Sequence, residues 1–130
     1  ASATDNGNGG KVVLWSDIAK PNSATLVYGA LKAQGGTLGG NGGQIETSGF
    51  YLDAVPSYVS ASAPKGQNGE WLLDPYDVVI GTTASGTGYS ANFTPSATSY
   101  IKAADIASSL NGNTGVTIST GSSTSSPRAG

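Results

Sequence analysis

Asn68-Gly69-Glu70-Trp71-Leu72-Leu73 sets a glycine-ended turn directly before a short run of strand formers, and the same phrase occurs three more times. Asn8-Gly9-Gly10 precedes Lys11-Val12-Val13-Leu14-Trp15, and Asn41-Gly42-Gly43 precedes Gln44-Ile45-Glu46-Thr47. Asn113-Thr114-Gly115 precedes Val116-Thr117-Ile118-Ser119. From Gly10 to Gly43 to Gly69 the intervals are 33 and 26 residues, and from Gly69 to Gly115 the interval is 46, as if one unit carried an insertion. Self-similarity on this scale is the signature of a solenoid, and a repeat made of strand and turn predicts a β-solenoid. Such a fold is a scaffold first and an enzyme only where a site is added.

Alternation assigns the faces. Val12, Leu14, Ile45, Trp71 and Leu73 fall at even places after their glycines and are expected to point inward, with Trp15 on the opposite parity pointing outward. Working outward, Thr25–Tyr28 and Ala30–Ala33 read as two further strands of the first unit, and Tyr58–Ser62 as a strand of the second. Asp74-Pro75 reads as a turn that interrupts Leu72–Ile80. Residues 1–10 are a polar lead-in, too short to cap an end well. Residues 81–99 have loop composition, and Ala103–Leu110 reads as a two-turn helix stopped by Asn111-Gly112. The expected architecture is all-β, a parallel β-helix of about four coils in a single unit over 1–130. It carries an irregular insertion at 81–112 and a flexible Ser/Thr tail at 121–130. Four coils at about 4.8 Å each make a body about 20 Å tall, with unpaired strand edges at both ends.

Composition narrows the function. The chain has 130 residues, 20 Gly, 11% charged residues and a formal net charge of −2. Its six Lys and Arg are scattered singly, which argues against nucleic acid. The absence of Cys and His removes thiolate chemistry, disulfides, the commonest general base and the commonest transition-metal ligand. No apolar run reaches the ~20 residues of a membrane span, so no membrane insertion is expected. A chain that opens Ala1-Ser2-Ala3-Thr4 without an initiator Met reads as a processed product or an excised segment.

Several site patterns can be weighed. Glu70, Asp74 and Asp77 are the densest carboxylates, but Asp74 beside Pro75 reads as a turn cap and Glu70 as an outward neighbour of Trp71. Gly39–Glu46 resembles a calcium nonapeptide yet has Gln44 where the carboxylate is needed. Gly81, Gly86, Thr87 and Gly88 lack the lysine of a phosphate loop. Asn92-Phe93-Thr94 fits a glycosylation acceptor, a triplet common by chance. A carbohydrate-active β-helix enzyme would need a basic partner, and Lys11, Lys32 and Lys65 show no convergence on Glu70 or Asp77. No catalytic residue, metal or cofactor is expected. Trp15, Phe50 and Tyr51 are the candidate exposed contacts, for a glycan or a neighbouring subunit.

Four runs also carry a family resemblance. GNGGKVVLWSD (Gly7–Asp17), GGNGGQIETSG (Gly39–Gly49), SASAPKGQNGEWLLDPYDVVI (Ser60–Ile80) and FTPSATSYIKAADIASSLNGNTGVTISTG (Phe93–Gly121) follow one another as in filamentous-haemagglutinin-like exoproteins. Those are large bacterial surface proteins exported by two-partner secretion. The resemblance implies a right-handed parallel β-helix, a secreted or cell-surface location, and a role in adhesion, biofilm or surface display. The expected function is a structural and adhesive building block, with a subunit that stacks head to tail into a filament as the alternative. Expected partners are further coils or copies of the chain and host or matrix glycans.

Overall fold

The computed structural model describes residues 1–56, 58–83 and 98–121. Among them, strand dominates, one short helix occurs, and every strand pairing is parallel. Ten strands and the helix follow in chain order: β1 (Lys11–Trp15), β2 (Ala24–Val27), β3 (Ala30–Lys32), β4 (Gln44–Gly49), β5 (Tyr51–Ala54) and β6 (Tyr58–Ser60), then β7 (Glu70–Pro75), β8 (Asp77–Gly81), β9 (Thr98–Lys102), α1 (Ala103–Asn111) and β10 (Gly115–Ile118).

The four repeated phrases become one sheet in the order β1-β4-β7-β10. Lys11 pairs with Gln44 and Gln44 with Glu70, so the first two sequence intervals are kept. The fourth phrase is shifted by one residue, because Gly115 pairs with Glu70 rather than with Gly69. The hydrophobic pattern wins over the glycine pattern here. This register sets Val116 beside Trp71 and Ile118 beside Leu73, which keeps both aliphatic side chains on the core face. Two inward rows result, Val12–Ile45–Trp71–Val116 and Leu14–Thr47–Leu73–Ile118. The middle members are buried, and the outer members Val12, Leu14, Val116 and Ile118 are partly buried against the same core.

Two strands were not legible as strands. β5 pairs with β2, and β9 pairs with β8 from Asp77↔Thr98 to Gly81↔Lys102. The stretch 81–112 is therefore not an irregular insertion throughout: β9 contributes Ser99 and Ile101, both fully buried, and α1 follows directly. Nor is Asp74-Pro75 a turn. β7 runs through Pro75, whose carbonyl accepts from Gly121 N at 3.0 Å, and the corner falls at Tyr76. In α1 the left-handed residue of the C-terminal stop is Asn113, at φ 58°, whereas Gly112 sits at φ −84°.

Residues 1–10 form more than a lead-in. They close a loop in which Gly10 N donates to Ala1 O at 2.6 Å. The same closure joins Gly43 N to Ala33 O at 2.7 Å and Gly69 N to Ala61 O at 2.7 Å. The loops at 1–10, 33–43 and 61–69 lie against one another, the first through Ala3 N to Gln34 O, Gly7 N to Gly39 O and Gly9 N to Asn41 O. Asparagines lock the levels, since Asn8 Oδ1 accepts from Asn41 N at 2.8 Å and Asn41 Oδ1 accepts from Gln67 N at 3.0 Å. The approach is too close for a side chain: a Cβ on Gly43 would stand 2.0 Å from Gly10 O, and one on Gly69 1.9 Å from Gly43 O. This contact, rather than turn chemistry alone, is what the recurring glycines serve.

The pattern at Gly81, Gly86, Thr87 and Gly88 lies outside the described residues except for Gly81, as do Asn92-Phe93-Thr94 and the tail beyond Gly121.

Candidate functional site

The outward face of the four-strand sheet is exposed along its first row and closes towards Ser48, which is buried. Its rows are Lys11–Gln44–Glu70–Gly115, Val13–Glu46–Leu72–Thr117 and Trp15–Ser48–Asp74. A small cavity of about 100 Å³ lies between Lys11, Glu46, Glu70 and Leu72. Its charges are already engaged: Lys11 Nζ stands 3.7 Å from Glu46 Oε2, and the Thr117 hydroxyl donates to Glu70. An exposed pair of this kind contributes little to stability.

The three carboxylates singled out by sequence are not brought together as a working pair. Glu70 is exposed at the start of β7, and Asp74 is half-buried near its end. Asp77 sits in β8, where its two oxygens accept from Val78 N at 3.0 Å and from Thr98 Oγ1 at 3.3 Å. It is Asp77, not Asp74, that caps backbone locally. Among the described residues, no group of three or more Asp or Glu is placed to hold a metal ion. No helix among them is long and apolar enough to cross a membrane.

Of the three candidate contacts, Trp15 is 62% exposed at the end of β1, beside Val13 at 48%. Phe50 differs from expectation: it is half-buried and lies against Tyr76, with ring centroids 4.8 Å apart and planes tilted by 30°. Tyr51 is a correction, since it is only 4% exposed. Alternation says which face a side chain leaves by, and burial depends on what covers that face. β5 is covered on both sides. Leu52 and Ala54 join the core, while Tyr28 reaches across the other side so that its hydroxyl donates to Asp53 Oδ2 at 2.6 Å.

Asp53 is 1% exposed, and its Oδ1 has no hydrogen-bond partner. The Tyr28 phenol is pushed up to about 12, first by the hydrogen bond to Asp53, then by burial and by the negative charge of Asp53, with a smaller effect from Tyr51. Sequence reasoning missed this pair. No short motif joins residues 25 positions apart, and only the β2–β5 pairing brings them together. Nearby, Lys32 Nζ stands 5.6 Å from the centroid of the exposed Tyr58 ring.

Set beside known proteins, the chain matches no protein-family model and no curated protein.

Proposed function

We propose that this chain is a segment of a right-handed parallel β-helix of about four coils, acting as a non-enzymatic structural and adhesive building block. The observation that carries the reading is the register of β1-β4-β7-β10. Three passes of unequal length return four strands to the same inward rows, which is how a solenoid builds a stalk from nearest-neighbour contacts. The outward row Lys11–Gln44–Glu70–Gly115 stays open, and Trp15 offers an aromatic surface suited to stacking on a sugar ring. Together with the resemblance of Gly7–Gly121 to filamentous-haemagglutinin-like exoproteins, this favours work at a bacterial cell surface or in the extracellular matrix.

The test is retention of the immobilised chain on a panel of host and matrix glycans, compared with Trp15→Ala. We expect binding that falls about tenfold or more in the variant, as loss of an exposed stacking contact of ~1.4 kcal/mol implies. Binding by neither protein overturns the adhesive role, and equal binding by both overturns the part assigned to Trp15.

A further inference from the structure

The two ends of the molecule are complementary steps. At one end β1 is the free edge of the four-strand sheet, and β2, paired only with β5, is free on its other side among the described residues. On the remaining side the loop 1–10 projects one level further, lying beyond 33–43. At the opposite end β10 is, among the described residues, the free edge of the same sheet. Beside it β8 lies beyond β9, and β9 lies against β5, where Leu52 N donates to Ser99 Oγ at 2.9 Å. The remaining side stops one level lower, at α1, which contacts β6, β9 and β10. One end therefore protrudes where the other is recessed.

We propose that the free edge of β10 receives the free edge of β1 from a second copy of this chain, in parallel and in the register that continues the sheet. This rests on the solenoid reading above and adds the partner. Three features of the molecule favour a second copy. Both inward rows would continue without a break, Val116 meeting Val12 and Ile118 meeting Leu14, and all four are only partly buried in the single chain. The loop 1–10 of the incoming copy would occupy the recessed level above α1. Charge also matches: Lys11 would lie over Gly115, which has no side chain, with Glu70 one level further. That pairing sets register more than affinity.

The test uses the full chain, which has no cysteine of its own. Val13→Cys with Thr117→Cys places thiols that face each other only between copies. Within one chain they are separated by three strand spacings, about 14 Å, beyond the reach of a disulfide. Val13→Cys with Ser119→Cys is the off-register control. Oxidation across a concentration series should give a ladder of covalent multimers for the first pair, at least about tenfold faster than for the second. A chain that stays monomeric at every concentration, or two pairs that link equally, overturns the proposal. Val13→Cys with Glu46→Cys tests the underlying fold separately, because those positions are paired within one chain. If that intramolecular link fails, the stacked-strand reading fails with it. If it forms and the ladder does not, only the contact between copies is lost.

Discussion

The indole N–H of Trp71 donates to Thr47 Oγ1 at 3.0 Å across adjacent strands, with both side chains fully buried. Trp71 belongs to one inward row and Thr47 to the other, so this bond ties the two rows together inside the core. It also explains a hydroxyl among aliphatic neighbours. Replacing Thr47 by Val keeps the shape and leaves a buried N–H without its acceptor, at a cost of about 1–3 kcal/mol. Trp71→Ala empties the largest buried side chain and should cost about 3–5 kcal/mol. Urea unfolding of both variants, followed by far-ultraviolet dichroism, checks the order. If Thr47→Val is as stable as the parent, the bond contributes nothing.

Gly43→Ala and Gly29→Ala separate close approach from ordinary chain flexibility. The first puts a Cβ 2.0 Å from the Gly10 carbonyl, so the backbone of two loops must move, at about 3 kcal/mol or more. At Gly29 a Cβ meets nothing within 4 Å, and the change should be neutral or stabilising by about 0.4–1 kcal/mol. Thermal midpoints for the pair settle the matter, and a tolerated Gly43→Ala would show that the stacked loops can separate cheaply.

Thr114 takes the place that a backbone carbonyl holds one level below. Ala33 N donates to Ser60 O, but Ala61 N faces the turn after α1 and donates instead to Thr114 Oγ1 at 2.9 Å. Thr114 is 2% exposed, so Thr114→Val strands a buried donor and should cost about 1–3 kcal/mol, most of it recovered by Thr114→Ser. Amide exchange at Ala61 is the direct readout: it should quicken in the Val variant and stay slow in the Ser variant.

Tyr28 predicts an alkaline transition. Its phenol is held up to about 12 in the folded chain against an ordinary value of 10.0, so the folded state binds the proton more tightly than the unfolded state does. The stabilisation is complete below pH 10 and is lost as pH rises towards 12. Tyr28 should ionise late in a phenolate absorbance titration, and Tyr28→Phe should remove its contribution to the late phase. A parent protein whose tyrosines all titrate together would refute the assignment.

The core of this fold was readable because period-two alternation and glycine spacing coincide in β1, β4 and β7. Val12, Leu14, Ile45, Trp71 and Leu73 take the inward positions that parity assigns, although Val12 and Leu14, at the end of the stack, are only partly buried. β5 escaped because it is buried on both faces, which erases alternation, and β9 because Thr98–Lys102 follows a stretch rich in small polar residues. The role of residues 1–10 escaped for a different reason. Their order comes from backbone hydrogen bonds to 32–41, and backbone carries no compositional signal. Trp15 could be placed from parity, whereas Tyr51 could not, since what lies over a face is a tertiary fact.

Passes of 33, 26 and 45 residues all return to one register, so chain length and sheet geometry are uncoupled in this molecule. Lengthening a connection from 26 to 45 residues adds only about 0.5 kcal/mol of closure entropy. Insertions between strands can therefore accumulate and be lost while the frame stays in place. A peptide grafted between Gly81 and Thr98 would be held at one fixed address on that frame, whatever its length.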